Sequence, residues 1–452
     1  MWNRKALFVG IVVGLGVMAA ACSGGSSSET PAAPTPAPEA PEPRESPEAT
    51  PTPAPTPTAQ RGAREPRGLL VASSQFRVEN GAVTATPGPA RLEILTRDGD
   101  AWRTEVIEDP GSNVFHKALW WQPESGEPGI ITLGGMAAAV KLWRRGESGW
   151  TSETLWTESF GGRFDRMRDA EVANLYGDGP ALAVATHDQG VVATVRPGAN
   201  GWTVDRIDRE PNTFVHEIEI GDLDGNGQLE VYATPSEPND LGGGAQSGHV
   251  VRYVPGAQQG RVVVADLGNR HAKEIWVGDA DGDGRDELYV AVEALTRGSG
   301  GSVELVEPVE IRRYDHDTPP TGGAVIARIP GERLTRFLTV GDVDGDGRRE
   351  MVIATFRNGL WLARPGRDPR GEWSLESIDR ESSGFEHTAL LTDLDGDGTD
   401  ELYVGSDDQG ELRQYTWVNG RPRREVILRR EVPRAIMTWN IMPVPVSAVA
   451  PR

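Results

Sequence analysis

The sequence predicts an all-β fold, a seven-bladed β-propeller of four-stranded blades closed by one C-terminal strand joining three N-terminal strands. Three observations lead there. First, one short pattern recurs at 222–230 (DLDGNGQLE), 279–287 (DADGDGRDE), 342–350 (DVDGDGRRE) and 393–401 (DLDGDGTDE), and each copy runs into an apolar segment. Recurrence at a fixed period marks a repeat architecture. Second, each unit holds four β-like runs separated by turn residues, and no long stretch has helical spacing. Third, the two ends carry complementary partial units. Residues 68–73, 91–96 and 102–107 read as second, third and fourth strands with no first strand ahead of them, whereas 434–440 reads as a first strand with nothing after it. Joining them closes the ring and leaves no exposed sheet edge.

The chain opens with an export leader. Arg4 and Lys5 precede an apolar run over 6–21, too short for a comfortable membrane span. The run ends Ala-Ala-Ala-Cys, which resembles a bacterial lipobox, although Ala19 stands where Leu is usual. Cys22, the single cysteine, is the expected lipidation site, so the expected anchor is a lipid in the membrane and no intrachain disulfide can form. The expected location is the bacterial cell envelope, outside the cytoplasm. Residues 23–67 read as a tether, with prolines alternating with Ala, Thr and Glu. Such a segment buries no core and stays extended, at ~3.1 Å per residue and on the order of 100 Å in all. The propeller is then 68–446, roughly 54 residues per blade, with a short tail at 447–452.

Within a unit the order is constant. In the unit that begins at Arg333, 337–340 leads into the Asp loop, 350–355 (EMVIAT) leaves it, 360–363 follows a short turn, and 373–378 closes the blade. First strands are expected to begin near Phe115, Arg166, Phe214, His271, Leu334, Phe385 and Val432. Tyr232, Tyr289 and Tyr403 share one second-strand position and read as core, as do Trp120 and Trp121. The net charge of −21 argues against a nucleic-acid partner. A monomer is expected.

The Asp loops are cation cages in sequence form. Carboxylates at positions one, three, five and nine give a hard cation its oxygens, and glycines at four and six permit the turn that brings them together. Clustered carboxylates repel one another and need a counter-charge; the alternative is a polar turn without metal. The string around 214–232 resembles the FG-GAP or VCBS repeat, which builds calcium-bearing propellers. That resemblance implies structural Ca²⁺ at about four loops. The ligands it implies are Asp222, Asp224, Asn226 and Glu230; Asp279, Asp281, Asp283 and Glu287; Asp342, Asp344, Asp346 and Glu350; and Asp393, Asp395, Asp397 and Glu401. A worn copy at 174–179 (NLYGDG) lacks the carboxylate set.

A second pattern lies six residues before each loop. Arg168, His216, Lys273, Arg336 and His387 occupy that position, with Lys117 and Arg434 in the two units that lack a loop to count from. In a propeller these positions ring the channel mouth on the face away from the Asp loops. A basic ring on an acidic protein focuses an anionic ligand, such as an anionic glycan or a protein partner; pairing with Asp169, Glu217, Glu274 and Glu386 is the alternative. The expected function is therefore a calcium-stabilised, lipid-anchored binding propeller, with no catalytic residues assigned. A propeller-fold polysaccharide lyase is the second reading and a structural spacer the third. Longer turns at 74–90, 236–248 and 293–302 border the same face.

Overall fold

The structure, a computed structural model, describes residues 67–449 except 100, 137, 163, 239–243, 258, 259 and 299–302. The leader, Cys22 and the tether up to 66 lie outside the described residues. Seven four-stranded antiparallel sheets follow one another along the chain. Their first strands are Phe115–Trp121, Met167–Ala173, Phe214–Gly221, Ala272–Gly278, Thr335–Gly341, Ala389–Thr392 and Ile436–Pro445. Each first strand contacts the next, and the last returns to Phe115–Trp121, so the ring is closed. This is a seven-bladed propeller.

Blade 1 is shared by the two ends of the described chain. Ile436–Pro445 pairs antiparallel with Arg67–Glu79, with Arg67 opposite Pro445 and Gln75 opposite Ile436. The closing strand therefore runs five residues past the expected 440, and Arg67 belongs to the sheet rather than to a tether. Residues assigned to a tail begin instead as a helical turn, Val446–Val449, whose last side chain is buried against the blade 1–2 core. Blades 2 to 7 then follow in sequence order.

Burial explains the sequence pattern of the second strands. Gly129–Gly134, Ala181–Thr186, Glu230–Ser236, Glu287–Val292, Glu350–Thr355 and Glu401–Ser406 are buried at every residue. Each is covered on both faces by neighbouring blades, so the in–out alternation of a one-sided sheet is lost. Fourth strands such as Gly201–Arg209 lie outermost and are largely exposed. Trp121 packs on Trp202 of the next blade with ring centroids 5.4 Å apart, and Tyr232, Tyr289 and Tyr403 are fully buried. Their hydroxyls donate to the loop acids Glu230, Glu287 and Glu401.

The turns between second and third strands need glycine. Gly190, Gly359 and Gly410 all have positive φ, and a Cβ on Gly359 would stand 2.0 Å from the Asp379 carbonyl oxygen. Gly359→Ala combines a left-handed backbone with a backbone clash, so it is expected to cost about 1–3 kcal/mol. A denaturant midpoint equal to wild type would disprove that. Two of the longer turns are themselves structured. Arg67–Glu79 continues into a hairpin with Ala82–Pro87, and Leu295–Arg297 pairs with Glu304–Glu307. Gly244 donates to Thr296 Oγ1 at 2.8 Å, so the insertions of blades 4 and 5 touch.

Candidate functional site: the cation loops and the channel mouth

The four Asp loops join first to second strands in blades 4 to 7, all on one face. In each, the position-one carboxylate accepts hydrogen bonds from the loop's own amides; Asp279, for instance, accepts from Gly282, Asp283 and Gly284 at 2.6–3.1 Å. Asp222, Asp342 and Asp393 do the same. The worn loop is informative. There Asn174 alone accepts from Gly179 at 3.2 Å, so the turn forms without any carboxylate set. The turn can thus form without the acids at positions three, five and nine, although in the full loops these also accept from loop amides, as Asp281 does from Asp283 and Glu287 from Ala280.

They converge. Asp279, Asp281, Asp283 and Glu287 each offer an oxygen within 4.8 Å of the others, as do Asp342, Asp344 and Glu350, and Asp393, Asp395 and Asp397. Asp222, Asp224 and Glu230, with Asn226, form no such cluster among the described residues. A set of hard oxygens this close fits a divalent cation such as Ca²⁺. Asp346 and Glu401 complete the sequence-assigned sets: Asp346 accepts from Arg348 N, and Glu401 from Leu394 N. The loops are also linked across blades. Asp286 accepts from the Asp222 amide and Asp400 from the Asp342 amide, both at 2.8 Å.

At the opposite end of the first strands, register decides which side chains face the channel. The ladder skips a residue in most first strands: His116, Arg168, Lys273, Arg336 and Trp439 are the skipped positions, and His216 lies in the equivalent break of blade 4. A bulge turns its residue out of the ladder and breaks alternation. That is why Lys273 and its neighbour Glu274 pair at 2.7 Å instead of facing apart. His387 precedes its strand with φ +48°. Blade 2 thus presents His116 at this level, not Lys117, and blade 1 presents Trp439, not Arg434. Lys117 follows the bulge and is buried between Asp169, at 2.9 Å, and Glu171. Burial opposes its charge, but those acids hold its pKa well above the ordinary value. Glu217 and Glu219, half-buried near the same acids, are pushed well up by desolvation and by the neighbouring carboxylates. Arg434 is exposed before the closing strand and pairs with Asp408 at 2.7 Å.

Three ring cations share one acid. Glu386 of blade 7 lies 2.8 Å from Arg336, 3.0 Å from Lys273 and 3.7 Å from Arg168, and all four side chains are buried. Burial raises the Glu386 pKa, but Arg336, Lys273 and Arg168 together outweigh it and hold it far below the carboxylate range. His387 is fully used as well: Nδ1 lies 2.7 Å from the Thr355 carbonyl and Nε2 2.7 Å from Ser382 Oγ. His216 packs edge-on against His187, with ring centroids 5.6 Å apart.

One cation stands apart, and counting back from the loops misses it because it lies two residues before Arg168. Arg166 and Arg168 approach the two nitrogens of a single imidazole, Arg166 at 3.3 Å from His116 Nε2 and Arg168 at 3.1 Å from Nδ1. Burial, then the two guanidiniums, keep His116 well below its usual pKa, hence neutral at pH 7. A neutral imidazole has one acceptor nitrogen, so it can satisfy only one of the two donors. Arg168 also has Glu386. No carboxylate lies within 4.0 Å of Arg166 among the described residues. Burial and the Arg168 charge pull Arg166 down to about 10. Its guanidinium stacks on the exposed Phe164 at 4.4 Å, and Trp439 stands beside both arginines and edge-on to His116. Phe385 is also exposed at the rim, 6.0 Å from Trp439.

The FG-GAP-like repeat profile matches residues 342–404, which hold the loops of blades 6 and 7. The chain is a seven-bladed β-propeller that carries an FG-GAP-like repeat. Among curated proteins, the rhamnogalacturonan endolyase YesW of Bacillus subtilis (strain 168) is 25% identical over 232 residues, 42% of this chain and 37% of the lyase. The chain thus spans little more than a third of that relative's length. Two solved structures share the fold, each with a TM-score of 0.50, the match covering 84% of this chain and 100% of theirs. One, from Bacteroides uniformis, is provisionally described as a 6-phosphogluconolactonase and is 12% identical; the other, from Lactobacillus plantarum, is 11% identical.

Proposed function

We propose that this FG-GAP propeller is a lipid-anchored, extracytoplasmic binding protein, stabilised by calcium in its Asp loops, that takes an anionic ligand at the channel mouth beside Arg166. The observation that carries this reading is the under-matched donor: two guanidiniums share one neutral imidazole, Arg166 Nε has no partner, and Asp188 and Glu386 act on Arg166 only from beyond 4.0 Å. The basic ring as a whole contributes less, because Arg168, Lys273 and Arg336 are neutralised in part by Glu386. Phe164 and Trp439 add apolar faces beside the charge, which suits an acidic sugar better than a bare ion. The leader and Cys22 support the anchor, and the convergence of loop acids in blades 5 to 7 supports the metal.

Arg166→Gln provides the test. Binding of the full-length protein to a panel of acidic and neutral polysaccharides is expected to fall at least about tenfold, the scale of one charge-assisted contact. Stability is expected to stay level or rise slightly, since a half-buried cation facing another cation is removed. Unchanged binding to every acidic glycan that wild type retains would sink the reading. A second reading is a lyase acting on a uronate-bearing polymer. The similarity to the rhamnogalacturonan endolyase favours it, as do the neutral imidazoles His116 and His187 beside two arginines. Ultraviolet absorbance from an unsaturated product would separate an enzyme from a binder.

A further inference from the structure

The blades are not of equal height around the channel mouth. In blades 2, 3, 6 and 7 the second and third strands are joined at the mouth by 135–138, 187–190, 356–359 and 407–410. Blades 1, 4 and 5 carry their ladders beyond that level. In blade 1 the pairing passes from Ser73 opposite Arg91 to Phe76 opposite Pro87 and Glu79 opposite Ala82. In blade 5 it passes from Val292 opposite Glu310 to Leu295–Arg297 against Glu304–Glu307. In blade 4, Ser236 bridges Gly248, and Glu237 N donates to the Ser247 carbonyl at 2.9 Å. The extensions of blades 4 and 5 meet where Gly244 donates to Thr296, so they form one wall. Arg270 fixes the base of that wall, donating to the Val292, Glu293 and Pro308 carbonyls and to Glu307 and Glu310 at 2.7–3.2 Å.

Ring order places the walls. Blades 2 and 3 separate blade 1 from blade 4, and blades 6 and 7 separate blade 5 from blade 1. The blade 1 hairpin therefore faces the blade 4–5 wall across the mouth, with a low gap on either side. Each gap carries an under-matched arginine and an exposed aromatic side chain. On the blade 2–3 side these are Arg166 and Phe164. On the blade 6–7 side they are Arg333 and Phe385. Arg333 borders the blade 5 wall, its carbonyl accepting from Ala294 N at 3.2 Å. Its half-buried side chain makes no hydrogen bond or ion pair among the described residues, and its Nε is buried without a partner.

We infer that the mouth is a trough open at both ends that takes an interior stretch of a linear acidic polysaccharide, with Arg166 and Arg333 each engaging a carboxylate on opposite sides of the channel. This rests on the reading of Arg166 as an anion site and adds to it a second contact and a direction. Charge complementarity selects the occupant. A polymer with carboxylates at regular intervals can reach two guanidiniums on different blades, each through paired N–H···O contacts. Phe164 and Phe385 offer flat apolar faces to the sugar rings between those charges. Walls on two opposite sides, and low turns in both gaps, leave nothing to recognise a chain end, so the ligand passes across the mouth.

The experiment is binding of the full-length protein to polygalacturonate, alginate and hyaluronate. Each is offered as a disaccharide, as a long chain, and as the long chain with a bulky fluorophore on its reducing end. For a polymer that wild type retains, the long chain is expected to bind at least about tenfold tighter than the disaccharide, because only the chain makes the second charge-assisted contact. Arg333→Gln is expected to remove that gain and leave disaccharide binding as it is, whereas Arg166→Gln weakens both. The end label is expected to leave affinity unchanged, a readout that needs no variant. A disaccharide that binds as tightly as the chain, an Arg333→Gln protein that binds the chain like wild type, or loss of binding on end-labelling would each overturn the trough. Sensitivity to Arg166→Gln in any of those cases would keep the anion site in place. Retention of none of the three polymers by wild type would overturn both.

Discussion

Glu386→Gln is expected to cost about 3–5 kcal/mol of stability at neutral pH, the range for removing one partner of a buried ion cluster. Arg336, Lys273 and Arg168 come from three other blades and meet on this carboxylate. Gln keeps the shape and one carbonyl acceptor but removes the charge, so three buried cations are left to repel one another. The effect carries a pH signature. The folded-state pKa of Glu386 is depressed, so its stabilisation is fully present above the ordinary carboxyl value of 4.5 and is lost as pH falls below it. The gap between wild type and variant should therefore be widest near neutrality and shrink below pH 4.5. His271 and His387, pulled down to about 4 by burial, act in both proteins alike: kept neutral in the fold, they cost stability as pH falls from 6.5 toward 4. Urea unfolding of both proteins at neutral and acid pH measures this, and a gap that stays constant with pH would show that Glu386 is not the charge holding the ring.

Chelating divalent cations is expected to lower the melting temperature by many degrees. A site filled at a hundred times its dissociation constant adds about 2.7 kcal/mol, and several filled loops add up. The structural reason is local repulsion: in each of three clusters the acid oxygens lie within 4.8 Å of one another. The links from Asp286 to the Asp222 amide and from Asp400 to the Asp342 amide pass loop disorder from one blade to the next. A scan with and without chelator, repeated after calcium is added back, decides the matter. Identical melts would remove metal from the account of this fold.

The two patterns read from sequence met different fates for a physical reason. The Asp loop is local: its turn, its glycines and its acids lie within one short segment, so spacing alone describes it. The basic positions were counted from that loop through a first strand of nearly constant length. The count therefore leads to Arg168, His216, Lys273, Arg336 and His387, but in blades 1 and 2, which have no loop to count from, it leads to Arg434 and Lys117 where Trp439 and His116 face the channel. Pairing could not be read at all. Strand alternation sets Lys273 and Glu274 on opposite sides, and only the bulge, a matter of register with the partner strand, brings them together.

The sequence by itself determined the number of blades, the strand order within each, the sharing of one blade between the two ends, and the acid clusters of the loops, because all of these follow from periodicity and from turn chemistry within a few residues. Only the tertiary structure decided which charges are cancelled. Glu386 gathers cations from three other blades, Arg313 and Arg364 reach back to their own loops, and Arg166 is left with half of an imidazole. Whether a charge is spent inside a protein or left to act on a ligand depends on what closes around it, and in a ring that is set by strands far apart in the chain.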